Sequence, residues 1–155
     1  MTEERFMRRC FQLARLGAGR VSPNPMVGAV LVHEGRIIGE GFHQAYGSAH
    51  AEVTALNSVK EADLANISKA TLYVSLEPCC IQGNTPPCTD LIIRHKIPKI
   101  VISAIDQTAS VHGKGIRLLR EAGIEVKPGV LESEGEALAA ARNTFVSKGR
   151  PYIIL

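Results

Sequence analysis

The sequence contains no tryptophan, and aromatic residues of all kinds make up only 5% of it. Proteins that bind single-stranded nucleic acid usually stack bases on aromatic side chains, so this kind of surface has little support here. The net charge of +3 is a small surplus and does not point to a polyanion. We therefore expect no nucleic-acid partner.

Long hydrophobic runs are missing as well. No apolar run approaches the roughly 18 residues that a membrane-spanning helix needs. The first residues, MTEERFMRRCFQ, mix charges of both signs and lack the apolar stretch of a secretory signal. Only four cysteines are present, and they indicate free thiols or metal ligands rather than a disulfide framework. We expect a cytoplasmic protein without a membrane partner.

The content of hydrophobic residues, 45% of 155 residues, is enough for one domain with its own core. After residue 70, predicted strands alternate with predicted helices, which is typical of a parallel sheet, and a hairpin precedes them. The predicted strands are 26–32, 36–42, 70–76, 99–105 and 124–126, and the predicted helices are 3–16, 49–60, 88–96, 113–122 and 131–147. We predict an α/β fold: a three-layer α/β/α domain with a mixed sheet of about five strands.

Two short motifs carry residues that bind metal. His50-Ala51-Glu52 stands at the start of a predicted helix, and Pro78-Cys79 follows a predicted strand, with Cys88 starting the next helix. Zinc takes imidazole and thiolate ligands, and a catalytic site uses three protein ligands with one open position. His50, Cys79 and Cys88 supply three. The pattern H-x-E followed by P-C is typical of zinc deaminases, although here the second cysteine lies nine residues after the first.

Glu52 is the candidate catalytic residue. It lies two residues after His50, about 200° around a helix, so the two side chains can meet only if the helix begins at the site. Zinc with two thiolates and a neutral imidazole has no net charge and is a weaker acid than a three-histidine zinc. A nearby carboxylate that takes the proton of the zinc-bound water would therefore help the reaction. We predict a zinc-bound hydroxide as nucleophile, with Glu52 as the proton shuttle to the ring and the leaving amine.

A closed structural zinc site is the alternative interpretation. It needs a fourth ligand, and Cys80 is the obvious candidate. Structural sites usually pair their cysteines as C-x₂₋₄-C, and adjacent thiols chelate one zinc ion poorly, so the catalytic interpretation is favoured.

Several segments resemble one known family: SPNPMVGAV, IIGEGFHQAYGSAHAEV, LYVSLEPCC, TPPC, AGIEV and GVLE. They resemble the deaminase domain of the bifunctional riboflavin-biosynthesis deaminase/reductases (RibD/RibG type), within the cytidine-deaminase-like superfamily. The resemblance covers nearly the whole chain and includes the long spacing between Cys79 and Cys88. It implies hydrolytic deamination of a diamino-hydroxy-ribosylaminopyrimidine phosphate, the second step toward riboflavin. It also implies a Zn²⁺ cofactor and a homo-oligomer.

The resemblance also assigns residues and domains. His50, Cys79 and Cys88 match the zinc ligands, and Glu52 matches the catalytic acid and base. Three further residues match substrate-binding positions: Asn24, His43 and Asn84. The deaminase domain is expected over residues 1–146. Residues 147–155 resemble the linker into a reductase domain that the chain does not contain, so a separate or fused reductase is an expected partner.

Some positions depart from the family pattern. Ile81 and Asn84 stand where the family usually has a histidine and a basic residue, and residues 107–109 (Gln107 to Ala109) differ from the usual D-P-N-P. Charge-assisted contacts to a phosphate are worth about 1.5–3 kcal/mol each, so their loss would weaken phosphate binding. The alternative is therefore the same chemistry on another pyrimidine, purine or pterin-like base. A polynucleotide base deaminase and a non-catalytic zinc-stabilised binding module are the remaining hypotheses.

Overall fold

The computed structural model describes residues 3–82, 86–108 and 111–148. Five strands form one sheet in the order β2-β1-β3-β4-β5. The strands are β1 (Gly28–His33), β2 (Arg36–Phe42), β3 (Thr71–Leu76), β4 (Lys99–Ala104) and β5 (Glu125–Lys127). The helices are α1 (Glu3–Arg15), α2 (Ala51–Asn57), α3 (Cys88–Arg94), α4 (Lys114–Glu121) and α5 (Glu132–Lys148). This confirms the predicted α/β fold with a mixed sheet of five strands.

The sheet combines an antiparallel and a parallel half. β1 pairs antiparallel with both β2 and β3, whereas β3, β4 and β5 run parallel. The turn between β1 and β2 has positive φ at Glu34 (50°) and Gly35 (74°), which suits the right-handed twist of a hairpin. The predicted hairpin and the predicted alternation after residue 70 therefore both occur.

Side chains that alternate along each strand create two cores, one on each face of the sheet. Leu31, Leu72 and Ile100 pack in one cluster with buried residues of α2, α3 and α4. Val30, Tyr73 and Val101, one residue displaced along each strand, pack with α1 and α5 on the opposite face. The result is the predicted three-layer arrangement.

Two glycines bring α2 very close to β2. A Cβ at Gly39 would lie 2.6 Å from the carbonyl oxygen of Ala55, and one at Gly41 would lie 2.6 Å from its nitrogen. Only hydrogen fits at these two positions, because real Cβ atoms do not approach backbone atoms so closely. The backbone of α2 therefore rests on the strand, and this contact sets where the helix begins.

Three local features differ from the sequence prediction. The helix predicted over 49–60 is shorter, because the Ser58 hydroxyl donates to Ala55 O at 2.7 Å and accepts from Glu40 N at 2.9 Å. Glu61–Lys69 forms a 3₁₀ segment that was not predicted. Helix α5, predicted over 131–147, spans Glu132–Lys148, and residues 149–155 lie outside the described residues. In the described part of the chain, no helix is both long and apolar enough to span a bilayer.

Candidate metal centre and active site

Two helices and one strand end bring the three candidate ligands together. His50 is the residue before α2, Cys88 is the first residue of α3, and Cys79 follows β3. His50 Nδ1 lies 3.3 Å from Cys88 Sγ and 3.6 Å from Cys79 Sγ. The three donor atoms all lie within 4.8 Å of one another. Residues far apart in sequence thus present one nitrogen and two sulfurs to a common point.

This donor set fits a zinc ion. Zn–S bonds of about 2.3 Å and Zn–N bonds of about 2.0–2.1 Å place nitrogen and sulfur ligands of a tetrahedral site about 3.6 Å apart. The two nitrogen–sulfur distances, 3.3 and 3.6 Å, agree with that separation. One imidazole and two thiols are donors that suit zinc, whereas harder cations prefer oxygen ligands. Three ligands leave one coordination position for a water molecule or a substrate.

The two thiols differ in acidity. A hydrogen bond from Cys88 lowers the pKa of Cys79, against the effect of burial, and a hydrogen bond with His50 lowers it further. The same bond, together with burial, raises the pKa of Cys88. The Cys88 backbone N–H also donates to Cys79 Sγ at 3.3 Å. One thiolate is therefore favoured already without metal, and a divalent cation would favour the second.

Cys80 is not part of this group. Within the described residues, the only cluster of three or more metal-binding side chains is His50, Cys79 and Cys88. Burial and the nearby carboxylate of Glu77 raise the pKa of the Cys80 thiol, so it is a poorer ligand than Cys79. The closed four-ligand site expected for a structural zinc therefore lacks its fourth ligand in this part of the chain.

Glu52 lies in the first turn of α2 and is almost completely buried, with 4% of its surface exposed. His50 precedes the helix in an extended conformation (φ −69°, ψ 162°), so the 200° separation expected on a helix does not apply. The side chains of His50 and Glu52 therefore both extend from the N-terminus of α2 to the candidate metal centre. Burial first, and then the Cys79 thiolate, raise the pKa of Glu52 to about 7. A carboxyl group of this kind can both accept and return a proton near neutral pH.

A pocket opens in front of Glu52 and the ligands. Its lining residues are Asn24, Pro25, Val27, His43, His50, Ala51, Glu52, Leu76, Glu77 and Cys79. His43 is buried, and its Nδ1 lies 3.1 Å from the carbonyl oxygen of Ala49. Its Nε2 lies 3.2 Å from Asn24 Nδ2. Two of the three residues predicted to bind substrate therefore line the pocket, next to the candidate metal centre.

Asn84, the third of these residues, lies outside the described residues, as does Ala109. Ile81 is 45% exposed, and Gln107 is exposed as well. Thr108 N donates to Asp106 Oδ1 at 2.7 Å, which fixes the start of the loop after β4. Of the described residues that depart from the family pattern, Ile81 and Gln107 are exposed and Thr108 is half-buried.

Glu77 lines the pocket, although the sequence analysis did not identify it. Its side chain is 3% exposed and accepts four backbone N–H groups, from Asp106, Gly113, Gly115 and Ile116. One feature of the sequence could have indicated that a distant residue takes this role. Helix α4 has glycine at its N-cap and no acidic residue in its first turn, so it lacks a local capping side chain.

The chain is similar to known proteins over most of its length. Residues 1–104 match the family model described as the cytidine and deoxycytidylate deaminase zinc-binding region. A diaminohydroxyphosphoribosylamino-pyrimidine deaminase from Buchnera aphidicola is 43% identical over 136 residues, which is 88% of this chain and 90% of that protein. Riboflavin biosynthesis protein RibD from Actinobacillus pleuropneumoniae is 43% identical over 155 residues, which is 100% of this chain.

A solved structure is similar throughout. The crystal structure of a diaminohydroxyphosphoribosylaminopyrimidine deaminase/5-amino-6-(5-phosphoribosylamino)uracil reductase from Thermotoga maritima superposes with a TM-score of 0.90 at 48% identity. The match covers 96% of this chain and 42% of that one. The chain likewise spans 40% of the length of the RibD protein from Actinobacillus.

Proposed function

This chain belongs to the cytidine and deoxycytidylate deaminase family, whose members are hydrolytic enzymes with a zinc-binding region, and we propose that it deaminates diaminohydroxyphosphoribosylaminopyrimidine in riboflavin biosynthesis. The observation that carries the proposal is the placement of Glu52 beside the cluster of His50, Cys79 and Cys88, at one pocket. The Buchnera relative, 90% of which this chain covers, supports the choice of substrate.

We assign His50 Nδ1, Cys79 Sγ and Cys88 Sγ as the metal ligands. When bound, a zinc ion supplies a Lewis acid that makes a water molecule acidic near neutral pH. Both cysteines bind as thiolates, and His50 binds as a neutral imidazole. Because both helices that carry ligands begin at the site, their free N–H groups and dipoles also favour negative charge there.

Glu52 moves the protons of the reaction. Its carboxylate takes a proton from the attacking water and returns it to the ring nitrogen beside the carbon under attack. A second proton, from the hydroxyl group now bound to that carbon, passes through Glu52 to the exocyclic amine as the carbon–nitrogen bond breaks, and ammonia leaves. The products are a ring carbonyl and ammonia, and Glu52 ends as it began. Its burial keeps bulk water away from the carboxylate during these transfers.

Asn24 and His43 hold the substrate in this proposal. The Ala49 carbonyl can only accept a hydrogen bond, so His43 Nδ1 donates to it. His43 Nε2 then accepts from Asn24 Nδ2, which fixes the Asn24 side chain. The remaining N–H and the carbonyl oxygen of that amide suit the donor and acceptor edge of an aminopyrimidine. Asn84 is proposed to contribute further polar contacts.

The proposal extends to domains and partners. Residues 1–146 would form the deaminase domain, and residues 147–155 would lead toward a reductase, fused or separate. This agrees with the greater length of the RibD relatives, of which the chain spans 40–42%. We also propose a homo-oligomer in the cytoplasm that acts on a small molecule and binds neither nucleic acid nor membrane.

Ammonia release from the phosphorylated diaminopyrimidine by the zinc-loaded protein tests the proposal. Glu52→Gln keeps the size of the side chain and should lower kcat by about 10²–10⁴ while zinc content stays at the wild-type level. Glu61→Gln, a matched change at an exposed glutamate, should leave both unchanged. Absence of turnover by the folded, zinc-containing wild type would contradict the substrate assignment. Equal turnover of the phosphorylated and the dephosphorylated substrate would show that the phosphate is not recognised. That result would favour another base as the substrate, consistent with Ile81 at a position where the family usually has a histidine.

A further inference from the structure

The carboxylate of Glu77 forms an unusual number of backbone contacts. Oε1 accepts from Gly113 N at 3.0 Å and from Asp106 N at 3.3 Å. Oε2 accepts from Gly115 N at 2.9 Å and from Ile116 N at 3.2 Å. Each oxygen therefore satisfies two N–H donors, and the side chain is buried. The four contacts therefore hold the carboxylate from four directions.

These contacts join three separate segments of the chain. Glu77 itself lies two residues before Cys79, in the segment that follows β3. Asp106 follows β4, and its own side chain fixes Thr108 N. Gly113, Gly115 and Ile116 form the beginning of α4. The single carboxylate thus connects the segment that carries a candidate metal ligand to both ends of the loop between β4 and α4.

A close backbone contact lies beside this cluster. A Cβ at Gly115 would stand 2.5 Å from the carbonyl oxygen of Pro78, the residue between Glu77 and Cys79. The beginning of α4 is therefore pressed against the segment 77–79, and no side chain fits between them. Helix α4 has no side-chain cap of its own, and Glu77 also provides the negative charge that its N-terminus favours.

We propose that Glu77 is a positioning residue for the metal centre. It holds the segment 77–79 against α4, and thereby fixes Cys79 Sγ relative to His50 and Cys88. The same carboxylate also binds Asp106 N and Gly113 N, the described residues on either side of the segment between β4 and α4. This inference rests on the proposed zinc site, and zinc affinity can test it separately from deaminase activity.

The experiment measures zinc affinity by competition with a chromogenic chelator. Glu77→Gln keeps the shape of the side chain, but its NH₂ group faces two of the four N–H donors and cannot accept from them. Gly115→Ala keeps the Glu77 side chain and adds a methyl group on the α4 side of the same contact, which should displace the segment 77–79. Both variants should lower zinc affinity about 10- to 100-fold, the usual effect of residues that orient metal ligands. The kcat of zinc-saturated protein should fall more than KM rises.

Ser103→Ala is the matched control. Ser103 is buried and donates to Leu131 O at 3.0 Å, so the variant also loses a buried hydrogen bond. It should lower the melting temperature and leave zinc affinity unchanged. Wild-type zinc affinity in folded Glu77→Gln would overturn the inference and make Glu77 a helix cap only, whatever Gly115→Ala shows, because a Cβ at Gly115 meets Pro78 O directly. If Glu77→Gln does not fold, Glu77→Asp, which keeps the charge on a shorter side chain, replaces it with the same two outcomes. Failure of the wild type to bind zinc would instead contradict the proposed function.

Discussion

His43 Nε2 lies 3.2 Å from Asn24 Nδ2, and its other ring nitrogen lies 3.1 Å from the carbonyl oxygen of Ala49. Because that carbonyl only accepts, Nδ1 carries a hydrogen, and the facing amide nitrogen of Asn24 makes Nε2 the acceptor. This tautomer places a hydrogen-bond acceptor, not a donor, against Asn24. The orientation of a side chain in the pocket is therefore set by a backbone group outside it.

We predict that nitrogen-15 NMR spectra of histidine-labelled protein show His43 as the Nδ1–H tautomer at pH 7.5. His43→Gln assigns the signal by its disappearance. Asn24→Ala should leave the tautomer unchanged, because the Ala49 carbonyl still requires the hydrogen on Nδ1. A His43 signal from the Nε2–H tautomer would show that the hydrogen-bond chain runs in the opposite direction.

Thr89, the residue after Cys88, carries the one buried side-chain oxygen or nitrogen without a hydrogen-bond partner among the described residues. A buried hydroxyl without a partner loses its hydration and gains nothing in return. Thr89→Val has nearly the same shape and removes the hydroxyl. The free energy of unfolding of the metal-free protein should stay the same or rise by up to about 1 kcal/mol, as measured in urea.

Thr54→Val is the comparison for this prediction. The Thr54 hydroxyl donates to His50 O at 3.2 Å, so its removal should lower the free energy of unfolding by about 1 kcal/mol. A loss of similar size in Thr89→Val would mean that the Thr89 hydroxyl is bonded in solution, and the prediction would be wrong.

Arg9 and Glu40 form a paired contact between α1 and β2, with N–O distances of 2.9 and 2.7 Å. The hydrogen bonds from Arg9 lower the pKa of Glu40, so the pair stabilises the fold above the ordinary pKa of glutamate, about 4.3. This contribution is lost as the pH falls from there through the lowered pKa of the folded state. Both side chains are more than one third exposed, so we expect no more than about 1 kcal/mol.

Arg9→Gln tests the pair through urea unfolding at several pH values. The variant should be less stable than the wild type at pH 7, and the difference should shrink below about pH 4.3. Added salt should reduce the difference at pH 7, because the pair is at the surface. A difference that does not change with pH would mean that Arg9 acts through packing rather than through its charge.

The sequence contained enough information for the architecture of the sheet. Apolar residues such as Leu31 and Val30 mark opposite faces of one strand, and short strands with intervening helices restrict the topology. The 3₁₀ segment Glu61–Lys69 gave no such signal, because only Ile67 in it is buried. Its conformation depends on packing and not on a periodic pattern.

For the site, the sequence predicted that His50 and Glu52 could meet only at a helix beginning, and the structure places them there. Glu77 was not predicted, because all its partners are backbone N–H groups at least 29 residues further along the chain. Every residue except proline has a backbone N–H group, so the residue types do not reveal which of these groups bind a carboxylate. The only indirect sign of such a residue was that α4, with Gly113 at its N-cap, has no capping side chain of its own.

The four N–H groups bound by Glu77 also limit how this protein can change in evolution or design. Side chains between β4 and α4 that do not contact Glu77, such as the exposed Gln107, can be exchanged more freely. The backbone at the two ends of this segment is less free, because Asp106 N and Gly113 N are bound to the segment that carries Cys79. We therefore expect exchanges of exposed side chains between β4 and α4 to be tolerated, and insertions or deletions next to Asp106 or Gly113 to disrupt the contacts with Glu77.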